Sequence, residues 1–461
     1  MREICVQGLG FVGAAMAVAT ADVVTEEGQP LYSVIGVDRH GQESERRITS
    51  INHGEFPFKC GDPRLAEATK RAHSRGNLSA TTDEGVYSSA AIIVVDINLD
   101  IDPREEMPRV ALSEFEDALR SVFSRAKEGC LVLIETTVPP GTCENIVVPI
   151  KQLELEKRGL AKDAVLLAHS YERVMPGKSY LDSIKNYWRV FSGETPGAAQ
   201  VCEDFLRSVI NTKEYPLTEL KSMTASETAK VMENTYRAVN IAFIDEWTKY
   251  AETVGIDIFE VIDAIRTRPT HSNIMSPGLG VGGYCLTKDP AFTPAAMRQI
   301  FTGGKDSFPF SHLAMKTNAA MPEHTVDRLK QLLEDDLRKK KILILGATYR
   351  ANVADTRYTP VQSLVESLEE FESVVSVYDP LIETWSEMNR DTLSEFPKAE
   401  AYDAVIFAVA HDEFSSIDFE HWLIGGSTVI LDACNLLSET ERERYRELGN
   451  VVESIGRGPG L

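Results

Sequence analysis

Short runs of β-branched and aliphatic residues alternate with helical stretches through the first two hundred positions. The runs at 4–7, 33–37, 91–95, 131–135, 165–168 and 190–192 predict strands, and helical segments between them predict a parallel sheet with crossover helices. After Pro216 the period changes. Leu217, Leu220, Met223, Val231, Met232, Val239, Phe243, Trp247 and Val254 recur at helical intervals, with neither Pro nor Gly before Gly255, which predicts one long helix over about 217–254. A glycine-rich stretch at 277–284 follows, then a second helical pattern over 311–336. The charged run Glu334-Asp335-Asp336 and the basic positions 338–341 mark a junction, read as a solvated helix end.

The first pattern then returns. Positions 341–346 parallel 3–8, 374–379 parallel 34–38, 404–409 parallel 91–95, and 428–432 parallel 130–134. The expected architecture is α/β: two doubly wound, Rossmann-like domains (1–212 and 337–461) joined by a central helical domain (213–336) that carries the long helix. The N-terminal apolar run 4–20 could also be read as a signal peptide. Gly8, Gly10 and Gly13 suit a strand-to-helix phosphate turn better than a helical signal core.

Composition narrows the function. Acidic residues outnumber basic ones 70 to 48, a formal charge of −22, which argues against a non-specific nucleic-acid binder. Seven scattered cysteines (5, 60, 130, 143, 202, 285, 434) without a C-x-x-C pair suggest neither a disulfide framework nor a zinc site, and fit reduced thiols in the cytoplasm. No metal site is expected, and no apolar run reaches the ~18 residues that span a bilayer.

Gly8-Leu9-Gly10-Phe11-Val12-Gly13, between a strand and a helix, has the form of a dinucleotide turn, with the pyrophosphate at the helix N-terminus. Asp38 ends the second strand and would accept hydrogen bonds from the adenosine ribose, favouring NAD over NADP; Arg39, next to it, could instead pair with a 2′-phosphate. Extra residues around Glu26 to Pro30 lengthen the gap to that acid. The second doubly wound region has Ala347-Thr348-Tyr349-Arg350 where the first has its glycines, so it should hold a different ligand.

Three further segments could carry chemistry. Cys285 follows four glycines in seven residues and precedes Lys288 and Asp289, the ingredients of an activated thiol nucleophile. A small buried hydrophobe is the alternative, although packing alone does not call for so many glycines. Lys230, Asn234 and Arg237 share one helix face, where the lysine and the amide could bind a developing oxyanion; the alternative is a solvated stripe with a Glu233–Arg237 ion pair. The segments Thr136 to Thr142 and Glu172 to Lys178 each follow a strand, at the sheet edge where α/β ligands bind.

Together these segments resemble the UDP-glucose/GDP-mannose dehydrogenase family over nearly the whole chain. The turn at 8–13, Thr-Val-Pro-Pro-Gly-Thr at 137–142, the stretch from Lys230 to Asn240, the cysteine loop at 280–290 and Asp355-Thr356-Arg357 stand in the family's order. Glu172-Arg173-Val174-Met175-Pro176-Gly177 looks like the branch acting on N-acetylated UDP-hexosamines. The resemblance implies an NAD-dependent, four-electron oxidation of a nucleotide sugar's C6 alcohol to a carboxylate in cytoplasmic polysaccharide biosynthesis.

By that analogy Cys285 captures the aldehyde, Lys230 and Asn234 stabilise oxyanions, Asp289 assists proton transfer, and Thr137 and Glu172 position water or act in acid/base steps. Lys288 and Arg357 would approach the cofactor, as would Phe11, Val12 and Thr137. Glu172, Arg173, Val174, Arg237, Ile274, Met275, Ser276, Pro277, Gly278, Gly282 and Arg350 would hold the nucleotide sugar. The long helix looks like the family's dimer element, so a homodimer or larger homo-oligomer is expected.

The chain departs from the family at Cys434, where many relatives have Arg; at Thr270-His271, near the arginine that a neighbouring subunit offers; and at Asp96-Ile97-Asn98-Leu99-Asp100, where a Pro-containing loop is usual. Two other readings remain. One is a two-electron β-hydroxyacid-type dehydrogenase, and the other is an inactive nucleotide-sugar-binding protein.

Overall fold

A computed structural model of the protein describes residues 1–59, 61–101, 109–301, 308–423 and 428–461, so Cys60 lies outside the described residues. Backbone contacts divide the chain into two compact units. One comprises Met1–Glu233 with the segment starting at Ala291; the other comprises Asn234–Pro290 and Phe308–Leu461.

The first unit is built on eight strands: β1 (Arg2–Gln7), β2 (Tyr32–Val37), β3 (Leu78–Thr81), β4 (Ile92–Val95), β5 (Leu131–Ile134), β6 (Leu166–Tyr171), β7 (Val190–Gly193) and β8 (Thr218–Glu219). Their spatial order is β3-β2-β1-β4-β5-β6-β7-β8. All six strands expected from the sequence form, and β3 and β8 join them. The order reverses between β1 and β4, the switch point where dinucleotides bind in doubly wound sheets. One pairing departs from the expected parallel sheet: β7 runs antiparallel to β6, Ala168 facing Gly193 and Tyr171 facing Val190.

The apolar N-terminal run forms β1 and the helix Phe11–Ala21. Ala14, Ala15, Met16, Ala17, Val18, Ala19 and Ala21 of that helix are all buried, and their small side chains let it lie close to the sheet. The insertion before β2 is a small excursion closed by the Val24–Pro30 bridge.

The long helix runs from Met223 to Val254 rather than from 217, because Thr218 and Glu219 pair with β7 as β8. The sequence period hid this start because Leu217 and Leu220, three residues apart, continue the helical spacing although the chain is not yet helical there. The second helical pattern forms Pro309–Leu332.

In the second unit, β9 (Lys341–Leu345), β10 (Val374–Tyr378), β13 (Ala404–Phe407), β14 (Val429–Asp432) and β15 (Val451–Ser454) form a parallel sheet in the order β10-β9-β13-β14-β15. A two-residue ribbon, β11 (Thr384–Trp385) with β12 (Arg390–Asp391), lies outside it. The four repeats seen in the sequence are β9, β10, β13 and β14. This is again a doubly wound order, with its switch point between β9 and β13.

A buried ion pair closes the C-terminal edge of the first sheet. Arg189, directly before β7, donates Nη1 to Glu135, directly after β5, and their side chains are 2% and 0% exposed. Burial pushes the Glu135 carboxyl up, and Arg189 opposes that shift. Removing only the cation would strand a buried carboxylate. Arg189→Met is expected to cost about 3–5 kcal/mol, read as a lower urea midpoint, whereas the double variant Glu135→Leu/Arg189→Met should recover most of it. A single variant as stable as wild type would show that this pair does not hold the edge.

Candidate functional site

The turn after β1 is shaped by contact with the end of β4. Gly8 has φ +91°, and a Cβ there would lie 2.1 Å from the Asp96 carbonyl oxygen; a Cβ at Gly13 would lie 1.9 Å from the Gly8 oxygen. At Gly10, by contrast, an added Cβ would meet nothing within 4 Å. Gly10 is also the N-cap of the Phe11–Ala21 helix, and no side chain caps that end. The turn is thus closed against the protein and open at the helix N-terminus, which fits a bound pyrophosphate. Phe11 and Val12 are half-buried there, and the Phe11 ring stacks on Phe58 at 4.1 Å.

Asp38 stands where the ribose acid was expected, but it is already engaged. Its Oδ2 accepts from Arg47 Nε (3.1 Å) and Nη2 (3.0 Å), and its Oδ1 accepts the Arg39 N–H at 2.9 Å. The Arg39 side chain instead reaches Glu114 at 2.9 Å and is largely exposed. The cation beside Asp38 is therefore Arg47, one turn into the next helix, which the sequence pattern did not single out.

At the ends of β5 and β6 the structure gathers Thr137, Glu172, Arg173 and Lys230. Lys230 Nζ donates to the Glu172 carbonyl oxygen at 2.7 Å and approaches its Oε1 at 3.3 Å, both side chains being over nine-tenths buried. The Glu172 carboxylate also accepts the Val174 N–H, which fixes the turn that begins there. The Lys230 ammonium lies 5.5 Å from the Tyr171 ring centroid. His169, beneath it on β6, is held neutral: burial, reinforced by Lys230, lowers it to about 3.

Glu233 does not pair with Arg237. Its carboxylate takes Arg173 Nε and Nη2, both at 2.9 Å, and the Tyr171 hydroxyl at 3.2 Å. Arg237 is exposed on the same helix. Thr137 is half-buried, while its neighbour Thr136 accepts the Ile97 N–H through Oγ1 at 2.8 Å. Asp96, in the segment that departs from the family pattern, has one carboxylate oxygen, Oδ2, buried without a hydrogen-bond partner. Burial and the neighbouring Glu135 and Glu172 charges raise its pKa well above the usual range.

The cysteine loop belongs to the second unit. Residues 284–288 form a turn in which the Asp289 N–H reaches the Cys285 carbonyl at 2.9 Å. Cys285 is the one exposed thiol among the described residues; Cys5, Cys130, Cys143 and Cys202 are buried and Cys434 is partly so. Burial pushes Cys5 and Cys130 up to about 12. Asp289 is fully buried, with Lys288 Nζ on Oδ1 at 2.8 Å and Asn234 Nδ2 on Oδ2 at 2.6 Å. Lys288 and Arg357 share the Tyr284 ring, at 4.5 and 5.5 Å from its centroid, and Asp355 binds Arg357 through both carboxylate oxygens.

The glycines before Cys285 have a packing explanation that the sequence reading denied. A Cβ on Gly280 would lie 2.6 Å from Pro360, one on Gly282 2.5 Å from Tyr349, and one on Gly283 (φ +82°) 2.7 Å from the Tyr349 ring. Close packing on the 349–360 segment thus accounts for three of the four, and what sets Cys285 apart is its exposure and its charged neighbours.

The remaining sugar-site candidates are dispersed in the same unit. Arg350 is exposed on the turn after β9. The Ile274 oxygen and Ser276 Oγ accept from Arg266 at 3.0 and 2.8 Å, Met275 N–H reaches Asn240 at 3.3 Å, and Ile274 and Met275 pack on the Ile244–Ile262 cluster. Pro277 and Gly278 are half-buried. Cys434 sits in a turn organised by buried Asp432, which accepts three backbone N–H groups. Thr270 and His271 bond one another on the surface. Asp379, at the position equivalent to Asp38, is turned inward: it accepts from the Ala347, Thr348 and Leu381 amides and pairs with His411.

Profiles of the UDP-glucose/GDP-mannose dehydrogenase family match residues 2–210 as the NAD binding domain, 224–319 as the central domain and 343–439 as the UDP binding domain. The UDP-N-acetyl-D-mannosamine dehydrogenase of Methanocaldococcus jannaschii is 31% identical over 461 residues, covering 99% of this chain and 97% of its own. The NDP-N-acetyl-D-galactosaminuronic acid dehydrogenase of Ralstonia nicotianae is 28% identical, covering 95% and 96%. Among solved structures, the UDP-D-ManNAc dehydrogenase of Pyrococcus horikoshii matches with a TM-score of 0.82 at 29% identity over 99% of both chains. The chain belongs to the UDP-glucose/GDP-mannose dehydrogenase family and is an NAD-dependent oxidoreductase of nucleotide sugars.

Proposed function

We propose that the protein oxidises the C6 alcohol of a UDP-linked N-acetylated hexosamine to the carboxylate, with Cys285 as the nucleophile. The observation that carries the mechanism is Cys285 itself: an exposed thiol followed directly by a buried Lys288–Asp289–Asn234 network. The substrate follows from the Glu172-Arg173-Val174 turn and from relatives named as UDP-N-acetyl-D-mannosamine dehydrogenases. The balance is one sugar alcohol, two NAD and one water giving one carboxylate, two NADH and three protons. NAD supplies the hydride acceptor for both oxidations.

The protein's residues do the rest. The thiolate of Cys285 adds to the C6 aldehyde, forming a carbon–sulfur bond and an oxyanion that Lys230 and Asn234 stabilise. After the second oxidation the adduct is a thioester. Water aligned by Glu172 and Thr137 attacks its carbonyl, the carbon–sulfur bond breaks, and the thiolate leaves. Asp289, held by Asn234 and Lys288, accepts or returns protons during these steps. Gly8, Gly10 and Gly13 hold the dinucleotide phosphates, Asp38 faces the ribose, and Arg350 meets the diphosphate of the sugar nucleotide. The same proposal includes the three-domain division at 1–212, 213–336 and 337–461, which the profile ranges support, and a cytoplasmic setting; no helix among the described residues is long and apolar enough to cross a membrane.

A two-electron dehydrogenase would need no exposed thiol beside such a network, and an inactive binding protein would need neither Lys230 nor Asp289. The stoichiometry decides. Each sugar oxidised should yield two NADH and a carboxylate, without accumulation of free aldehyde. Cys285→Ser should stall after at most one turnover with added mass on the intact protein, because an alkoxide is a poorer leaving group than a thiolate, and Cys285→Ala should show no adduct. One NADH per sugar, or steady carboxylate production by Cys285→Ala, would overturn the thiol mechanism.

The assembly is proposed to be a homodimer through the long helix. Met232, Tyr236, Phe243, Trp247, Tyr250 and Val254 are 46–68% exposed, and Phe243, Trp247 and Tyr250 form consecutive edge-on contacts at 6.1 and 5.6 Å. Their spacing of three, four or seven residues makes a single apolar stripe, which favours a second copy as cover. Trp247→Glu is expected to shift the sedimentation profile to monomer at micromolar concentration; a wild type that is itself monomeric and fully active would refute the assignment.

A further inference from the structure

The long helix carries another buried charge, Glu227, one turn before Lys230 and only 1% exposed. Its Oε2 accepts the Gly141 N–H at 2.6 Å and its Oε1 accepts the Cys143 N–H at 2.7 Å. Both donors belong to the turn that leaves β5 with Thr137. Pro139 and Pro140 have no N–H to give, and the Thr142 N–H is used within the turn by the Pro139 carbonyl at 3.1 Å. From Pro139 to Cys143, the two amides left over are therefore the two that Glu227 takes. Burial pushes its carboxyl up to about 7, with the Cys143 thiol and both amides opposing that rise.

Three residues further along the helix, Lys230 bonds the Glu172 carbonyl on the turn after β6. Side chains at this spacing lie on one helix face. One turn of helix therefore grips two successive post-strand turns, one bearing Thr137 and the other bearing Glu172.

We propose that Glu227 is a positioning residue for the oxidation: it fixes the 137–143 turn on the helix and so sets Thr137 relative to Lys230 and Glu172. It touches neither substrate nor cofactor. The inference rests on the roles proposed above for those three residues.

The test is a pair of variants in the full-length protein. Glu227→Gln replaces one acceptor with an NH2 group facing an N–H, and Glu227→Asp keeps the charge but is too short to serve both amides. Because sub-ångström misplacement of an acting group is costly, Glu227→Gln should lose about 10–100-fold in kcat with KM for the nucleotide sugar nearly unchanged, and Glu227→Asp should fall between it and wild type. Amide hydrogen exchange over 139–145 should accelerate in Glu227→Gln. Unchanged exchange overturns the proposal whatever the activity, as does wild-type kcat in both variants or a loss confined to KM. If neither variant folds, Glu227 is a folding determinant and the proposal fails. A wild type inactive on every nucleotide sugar, together with faster exchange in Glu227→Gln, would instead remove the functional reading and leave the grip on the turn intact.

Discussion

An ammonium taken out of water at the end of a sheet must be given acceptors, and the way Lys230 obtains them ties the long helix to the turn after β6. The acceptors are a backbone carbonyl and a carboxylate from one residue, Glu172, at the end of β6. Because the carbonyl is part of the main chain, the bond fixes where the turn after β6 starts, and not only where a side chain points. Glu233, one turn later, takes Arg173 from the same turn. The first turns of the helix thus act as a ruler along the edge of the sheet, with charges set at intervals of three.

That arrangement concentrates charge where the field is least screened. Asp96, Glu135 and Glu172 lie with Arg189 and Lys230 near the switch-point end of the sheet, three acids to two bases. Full ionisation would leave an uncompensated anion in a poorly hydrated place, and the raised Asp96 carboxyl is the physical answer, since holding a proton is less costly than holding the charge.

Much of this was legible in the sequence. The strand runs carried the two sheets because buried parallel strands read as continuous aliphatic segments, and the glycine turn declared itself through its place between a strand and a helix. What stayed hidden were pairings fixed by tertiary contact. β8 was absorbed into the long helix because it is only two residues long and the flanking Leu217 and Leu220 keep the helical spacing. The guanidinium that meets Asp38 proved to be Arg47, nine positions on, which no sequence pattern singled out. Glu233 pairs with Arg173, sixty residues away, and not with the i+4 arginine, because Arg173 offers two guanidinium nitrogens and the Tyr171 hydroxyl adds a third donor. The glycines before Cys285 were read as chemistry when three of them are demanded by Tyr349 and Pro360. A one-dimensional pattern shows which residues can be buried, but not which long-range partner compensates each charge.

The two doubly wound sheets end their second strands in the same residue type, and the difference in its surroundings has an electrostatic outcome. Asp379 is enclosed by three amides and His411, so its charge is spent on the protein's own turn. Arg350 stands on that turn in solvent without a competing anion from the strand end. At the first sheet the acid and a guanidinium are matched one to one. The same strand-end acid is therefore matched by a guanidinium from a neighbouring helix at one sheet and by its own turn's amides and an imidazole at the other, so the charge of Asp379 is satisfied without any call on Arg350.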